Sequence, residues 1–298
     1  MKALFIINPV AGKGKSEEII RSFEPMIKGK LPYHIELTQN KGEATEIVKR
    51  YTSEDDYIVF AVGGDGTVNE VVNGMVGSNS TLAILPTGSG NDFVRSIYDK
   101  YTIEELLSDL LDGYDEPIDL IRIDEKYFLN ISSVGLDAEV VYNANQYKKI
   151  KFIKKDLAYV ISLFKTILGP KGTRAKVIID GKQVCDEEIL LLAVANGSFY
   201  GGGIPMVPTA KINDELADVC LVRETRLRKI AKVLPKVFKA EHIKAKEVEL
   251  YKAKEVEIEA KEGCRVNIDG EIITSHHLKM NVIPKGIKMR IPSRNKLI

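Results

Sequence analysis

Three glycine-bearing segments are placed where main chain could meet a phosphate. Gly63-Gly64-Asp65-Gly66-Thr67 follows the apolar run Ile58 to Val62 and precedes a helix beginning near Val68. Glycines at a strand-to-helix turn let backbone amides approach an anion, and the helix N-terminus adds unsatisfied donors and partial positive charge. Asp65 inside such a loop would repel phosphate, so its presence makes chemical sense if it holds magnesium, or a water on one, as a bridge. Asn8-Pro9-Val10-Ala11-Gly12-Lys13-Gly14-Lys15-Ser16 ends the first apolar run, with glycines for close approach and lysines for charge. It is not a Walker loop, because that pattern needs a glycine where Pro9 stands. Pro86-Thr87-Gly88-Ser89-Gly90-Asn91-Asp92-Phe93 follows a third buried run, Leu82 to Leu85. The carboxyl ends of parallel strands lie along one edge, so the three loops should converge on one crevice. Asp92 then stands near Asp65, and Arg95 shares its face of a short helix, placed to meet a phosphate.

The elements that must carry these loops read as strand and helix in alternation. Ala3 to Ile7, Tyr33 to Leu37, Tyr57 to Val62 and Leu82 to Leu85 are strand-like, and Glu43 to Arg50, Val68 to Val76 and Ile103 to Leu111 are helical. Buried strands separated by helices imply a parallel, doubly wound sheet. After about Asp119 the texture becomes mostly β: Lys126 to Val134, Ala175 to Ile179, Ile189 to Asn196, Asp218 to Val222 and Val248 to Glu259 read as strands. Asp180-Gly181 and Asp269-Gly270 are hairpin turns. Asp156 to Leu168 and Leu227 to Lys239 are helix candidates, the second to be kinked or ended by Pro235. The expected division is a nucleotide-binding α/β unit over 1–120 and a β unit over 121–284. The last strand, Ile287 to Ile291, returns to either, so 285–298 is a candidate member of the first unit.

Composition narrows the function classes. The chain has 298 residues, enough for two domains, and 44% of them are apolar. Lysine plus arginine total 43 against 42 aspartate plus glutamate, a net charge of +1, so nothing attracts nucleic acid in general. No apolar run approaches the ~20 residues of a membrane span. The first residues are too short an apolar stretch for a signal peptide, and the reading is a cytoplasmic protein. Cys185, Cys220 and Cys264 are few and widely spaced, which argues for core positions rather than disulfides or zinc. His276 and His277 are adjacent and cannot easily share an ion from one strand.

With Asn8-Pro9 to Gly12, Gly63 to Asn69 and Gly88 to Phe93 in this order, the chain resembles the diacylglycerol-kinase catalytic family, which includes bacterial soluble lipid kinases and sphingosine kinases. The resemblance runs nearly end to end, through Asn130 to Asp137, Asn196 to Gly203, Asp214 to Asp218 and Asp269-Gly270-Glu271. It implies a nucleotide domain of NAD-kinase/phosphofructokinase type, a C-terminal β-sandwich domain, and catalysis in the cleft between them. It further implies that Asn8, Pro9, Val10, Ala11, Gly12 and Lys13, Thr38, and Gly63 through Gly64, Asp65, Gly66, Thr67, Val68 and Asn69 contact ATP. Ser89 stands where the family has threonine, in PTGSGNDF rather than PLGTxNDF, and Thr87 replaces leucine. Glu271 matches the general base, and Asp65, Asp92, Asp269 and Glu271 would surround Mg2+. A second, structural Mg2+ is implied on the Asp214 carboxylate and the carbonyls of Lys211 and Leu216.

These expectations describe an ATP-dependent lipid kinase, with diacylglycerol the first acceptor and phosphatidic acid its product. The rivals are an NAD-kinase-like phosphotransferase, which shares Gly63 to Thr67, and a nucleotide- or lipid-binding regulator without turnover. Gly88 to Phe93 and Gly270-Glu271 favour the lipid kinase. Such an enzyme must reach a bilayer, and Lys148-Lys149-Ile150-Lys151-Phe152-Ile153-Lys154-Lys155 suits peripheral contact with an anionic membrane. The basic run from Arg226 to Lys246 reads as solvated helix surface, and His242 is left without a role. Oligomeric state is open, a homodimer included.

Overall fold

The computed structural model describes residues 2–11, 16–88, 90–98, 101–147, 172–223, 230, 233 and 235–294. The chain begins β1 (Lys2–Ile7), α1 (Ser16–Ile27), β2 (Tyr33–Leu37), α2 (Glu43–Thr52), β3 (Tyr57–Gly63), α3 (Asp65–Met75), β4 (Thr81–Pro86) and α4 (Ile103–Leu111). Its four strands are parallel in the order β2-β1-β3-β4. Every residue of β3 and β4 is buried. That is why both read as unbroken apolar runs rather than alternating ones: helices cover both faces. Phe5 and Phe60 stack across β1 and β3 with centroids 4.4 Å apart. α2 and α3 cross closely at Gly74, where a Cβ would lie 2.6 Å from the Thr45 carbonyl oxygen.

The remainder is strand-rich: β5 (Tyr114–Ile123), β6 (Lys126–Phe128), β7 (Ile131–Gly135), α5 (Leu136–Tyr147), β8 (Thr173–Ile179), β9 (Lys182–Ala195), β10 (Phe199–Tyr200), β11 (Ile204–Pro205), β12 (Ala217–Arg223), β13 (Val248–Ala253), β14 (Glu255–Ile268) and β15 (Glu271–Ile291). The pairings among these strands are antiparallel. β15 joins the two halves. It starts as a hairpin with β14, continues against β5, and ends parallel to β4, with Lys288 opposite Thr81 and Met289 opposite Leu82. Between Ile283 and Ile287 its register against β5 shifts, and Lys285 there has φ 53°. This bulge is where the strand passes from one core to the other: Ile287, Met289 and Ile291 join the β1–β4 core, while Leu278 and Met280 belong to the β-rich core.

Local chemistry explains where elements stop. Both hairpin turns form, with φ 46° and 76° at Asp180-Gly181 and 46° and 95° at Asp269-Gly270, the two positive values a two-residue type I′ turn needs. Lys126 to Val134 is two strands rather than one. The break comes where Asp269 takes the Leu129 and Ile131 amides at 3.1 and 2.9 Å. Val248 to Glu259 divides likewise at Lys254, because Asp180 Oδ1 accepts the Lys254 and Glu255 amides at 2.9 and 2.8 Å. The helix Leu136–Tyr147 has no counterpart in the sequence reading. The candidate helix 156–168 and the basic run 148–155 lie outside the described residues. All three cysteines are buried and free, and burial pushes the thiols of Cys220 and Cys264 up to about 12 and about 11. His276 and His277 make separate contacts, with the Lys261 carbonyl and with Glu257. No described helix is long and apolar enough to cross a membrane.

α3 is fastened to β6 by Asn73, whose side-chain amide donates to the Tyr127 carbonyl at 2.9 Å and whose Oδ1 accepts the Tyr127 amide at 3.0 Å. Asn73→Ala should leave the Tyr127 amide unpaired, while Asn69 still donates to the Tyr127 carbonyl, and lower the unfolding free energy by about 1–3 kcal/mol in urea titrations. A change below a few tenths would show that this bracket carries no load.

Candidate functional site

The described parts of the three loops meet. Thr87 and Gly88 donate to the Gly63 carbonyl at 2.9 and 3.1 Å, and a Cβ on Gly88 would lie 2.5 Å from the Gly64 Cα. Only glycine permits that backbone-to-backbone contact. The Asn8 amide group donates to Thr67 Oγ1 at 3.2 Å, and its Oδ1 accepts the Val10 amide at 3.0 Å. The loop Asn8 to Ala11 therefore lies against the first turn of α3, with Pro9 in its turn and Val10 84% exposed. Thr38 is buried beside it, its amide on the Ile7 carbonyl at 3.0 Å. Gly12, Lys13 and Ser89 lie outside the described residues.

Asp65 has a different task from the one its position suggested. Its two oxygens accept the Asn91 and Asp92 amides at 2.9 and 2.8 Å, which ties the third loop to the N-terminus of α3. A Cβ on Gly90 would sit 2.4 Å from Asp65 Oδ2, so this loop too needs glycine. Asp92 passes the connection on. It accepts the Gly202 amide at 3.0 Å on both oxygens and the Gly203 amide at 2.6 Å. Gly201, Gly202 and Gly203 all have positive φ, and the hairpin β10–β11 turns on them. Burial, then repulsion from Asp65, raises the Asp92 carboxyl against the amides that lower it. Arg95 Nε approaches Asp92 at 3.9 Å and its guanidinium reaches the Gly90 carbonyl at 3.4 Å.

The hairpin β14–β15 supplies the facing side. Asp269 accepts the Asn69 amide group at 3.2 Å besides the Leu129 and Ile131 amides, and burial pushes it up to about 6, with Asp65 adding repulsion. Glu271, two residues on, faces elsewhere: Lys41 Nζ is 2.6 Å from Oε1 and Lys126 Nζ 3.9 Å from Oε2. In an extended strand the two carboxylates would share a face, but the positive φ at Asp269 and Gly270 separates them. Of the four carboxylates expected around one ion, Glu271 is held apart by its two lysines, while Asp65, Asp92 and Asp269 accept main-chain amides. The side chains of Thr67 and Val68 are buried, and Asn69 is committed to Asp269 and the Tyr127 carbonyl, so what this loop can offer a ligand is its main chain.

The second ion also meets a different arrangement. Lys252 Nζ lies 2.7 Å from Asp214 Oδ2 and 2.8 Å from Asp218 Oδ2, while Asp214 Oδ1 takes the Leu216 amide at 3.3 Å. An ammonium carried by β13 neutralises both carboxylates, so Lys211, Asp214 and Leu216 as placed do not fit an added divalent ion. Sequence could not show this, because Lys252 is far along the chain and meets Asp218 only through β12–β13 register.

Beside the loops lies a cavity of about 760 Å³. Asp65, Asp92 and Asp269 line it together with Asp137, and Leu136, Val140, Leu190, Ile204 and Val233 supply apolar wall. Two lining groups had no assigned part in the sequence reading. Asp137 accepts the Ser133 hydroxyl, and burial pushes its carboxyl up to about 6. His242 contacts the Met206 carbonyl through Nε2 at 2.8 Å, so that nitrogen carries the proton, and burial lowers its pKa. Nδ1 of His242 is buried and has no hydrogen-bond partner among the described residues.

Sheet-edge glycine loops beside an acid-lined cavity are equipment for moving a phosphoryl group, and comparison with known proteins agrees. Residues 2–123 match the diacylglycerol kinase catalytic domain, and residues 130–291 match the YegS C-terminal NAD kinase beta sandwich-like domain. The chain belongs to the diacylglycerol kinase family, and it is a kinase with an α/β unit followed by a β-sandwich. It is 28% identical over 277 residues to the diacylglycerol kinase of Bacillus subtilis, covering 91% of this chain and 89% of that one. The Staphylococcus carnosus diacylglycerol kinase is 29% identical, covering 91% and 88%. A crystal structure of a diacylglycerol kinase from Bacillus anthracis superposes with a TM-score of 0.72 at 26% identity, covering 97% and 96%. Yeast NADH kinase complexed with NADH, at TM-score 0.52 and 9% identity over 98% and 83%, shares the fold alone.

Two outcomes test the site. Wild-type melting temperature should be the same in EDTA and in Mg2+, while Lys252→Gln should lose about 1 kcal/mol, a figure kept small because the lysine is 42% exposed. A wild-type melting temperature that drops in EDTA and returns with Mg2+ would restore the ion. Asp137 titrates near 6 when folded against 3.8 in the reference state, so folded protein holds a proton that unfolded protein releases between those values. Its contribution to stability therefore falls as pH rises from about 4 to 6, by up to ~1.4 kcal/mol per pH unit. Asp137→Asn should gain on wild type across that window in urea titrations, and parallel curves would contradict it.

Proposed function

We propose that the protein transfers the γ-phosphoryl group of ATP to the hydroxyl of diacylglycerol, giving phosphatidic acid. The observation that carries this reading is the cavity, whose lining combines four aspartates with many aliphatic side chains. A lipid needs that combination: apolar wall for acyl chains and a polar end for the hydroxyl. A dinucleotide acceptor offers nothing to fill such walls.

The main chain of Asn8 to Ala11 and Gly64 to Gly66 receives the phosphates, helped by the N-terminus of α3. By the family resemblance Gly12, Thr38 and Ser89 belong to the same surface, and Lys13 by its charge and Arg95 by its place beside Asp92 would join them. Asp65, Asp92 and Asp269 are carboxylates that no lysine neutralises among the described residues, and their donor chemistry fits a hard cation arriving with ATP. These aspartates would hold Mg2+, whose contribution when bound would be charge neutralisation on the phosphates. Glu271 takes the hydroxyl proton as the acceptor oxygen bonds to the γ-phosphorus and the bond to the β-phosphate oxygen breaks, releasing ADP. Gly270, its neighbour, lines the cavity, and Lys41 holds Glu271 against the loop that follows β2.

Incubation with γ-labelled ATP, Mg2+ and a panel of diacylglycerol, a sphingoid base, phosphatidylglycerol and NAD should place label on diacylglycerol. Label on NAD alone would overturn the reading, and ATP binding without transfer to anything would leave a regulator. Glu271→Gln should keep ATP affinity within about twofold while kcat falls about 10²-fold. Unchanged turnover would remove Glu271 from the chemistry.

A further inference from the structure

The basic run that reads from sequence as solvated helix surface contains an apolar tip. Pro235 to Val237 are helical, and the chain then reverses through a Schellman motif: the Glu241 amide donates to the Lys236 carbonyl at 2.9 Å and the Ala240 amide to the Val237 carbonyl at 3.1 Å. Ala240 takes the left-handed conformation, φ 56°, usually given to glycine at that position. The turn is anchored by His242, which is 2% exposed and holds the Met206 carbonyl. At the other extreme Phe238 is 63% exposed, although both it and Val237 line the cavity. A large aromatic side chain held outward at a cavity wall by a fixed turn is a surface wanting an apolar partner.

Charge says which partner. Lys236, Lys239, Lys244 and Lys246 are all exposed, and none makes an ion pair among the described residues. Between Pro235 and Lys246 the only acidic residue is Glu241. Four unpaired ammonium groups around one phenylalanine match an anionic bilayer, which attracts lysines at its surface and accepts an aromatic ring at headgroup depth. Because Val237 and Phe238 border the cavity, a bilayer resting there adjoins the acceptor pocket. We propose that the segment Pro235 to Lys246 is the surface on which this protein docks to anionic membrane. This rests on the lipid-kinase reading, which supplies the reason for docking.

The test separates docking from chemistry. Binding of the full chain to sedimentable vesicles of phosphatidylcholine, with and without phosphatidylglycerol, is measured in the absence of ATP. Wild type should bind the phosphatidylglycerol vesicles and release them at high salt. Phe238→Ser, and separately Lys236→Gln/Lys239→Gln/Lys244→Gln, should each weaken that binding about tenfold or more. The triple lysine variant should keep wild-type turnover on a short-chain diacylglycerol dissolved as monomer and lose it on long-chain diacylglycerol in vesicles. Wild-type vesicle binding by both variants would overturn the proposal. So would equal loss on monomeric and vesicular acceptor by the lysine variant, since that places the lysines in the pocket rather than on a docking face. Failure of wild type to phosphorylate any lipid would sink the lipid-kinase reading instead, and the vesicle measurement would still decide the surface.

Discussion

Four aspartates, each clamped on main-chain amides far away in sequence, hold this molecule in its working shape. Asp65 holds Asn91 and Asp92, Asp92 holds Gly202 and Gly203, and Asp269 holds Leu129 and Ile131. Asp119, fully buried, holds Glu215 at 2.7 Å and the bulged Lys285 at 2.8 Å. A carboxylate is an acceptor with two oxygens, and hydrogen bonds to a charged acceptor are roughly twice as strong as neutral ones. The Asp65 and Asp92 clamps fix turns that lie outside the sheet ladders, and the Asp269 and Asp119 clamps fix a strand start and a strand bulge. Asp65 and Asp92 act in series, so the glycine loop of the parallel sheet is joined through two side chains to the hairpin β10–β11 in the other half.

Such clamps carry a cost that bears on chemistry. Burial raises Asp92 and Asp269 even though amides pull both down, and Asp65 repels each of them. The nearest cation to Asp92 is Arg95 at 3.9 Å, and it is half exposed. Like charges are thus concentrated in the wall of a cavity whose remaining lining is largely aliphatic. An anionic substrate alone would be repelled from that wall, whereas a phosphate chain accompanied by a divalent cation would relieve it. The same carboxylates that order the loops would thus favour a nucleotide that arrives with its cation, as the proposed function requires.

The parallel half was legible because its signals are local. β1, β3 and β4 are unbroken apolar runs, each followed within a residue or two by glycine, proline or asparagine, and their convergence follows from sheet direction alone. The β-rich half was legible in its hairpin turns, since Asp-Gly pairs specify positive φ by chemistry. The clamps were not, because nothing near Asp65 in sequence announces Asn91, and nothing near Asp92 announces Gly202. The sequence therefore offered Asp65 only as a holder of an ion and hid the two amides that its oxygens accept. Lys252 escaped notice for the same reason, as register between two strands decides that it meets Asp218. α5 was missed because Leu136–Tyr147 mixes asparagines with scattered apolar residues and has little helical stripe to read.

One strand makes these separate facts a single mechanism. β15 leaves the turn that carries Asp269, places Glu271 against Lys41 of the parallel half, bulges at Lys285 on Asp119, and finishes beside β4. Its two ends are held in different cores, and its first residues bear the carboxylate assigned to proton transfer. Glu271 therefore cannot move toward a bound nucleotide without dragging a hairpin whose aspartate is fixed on the β6–β7 main chain. The hairpin fixes its backbone and the contact with Lys41 restrains its carboxylate, and both restraints help keep a single carboxylate within reach of a hydroxyl.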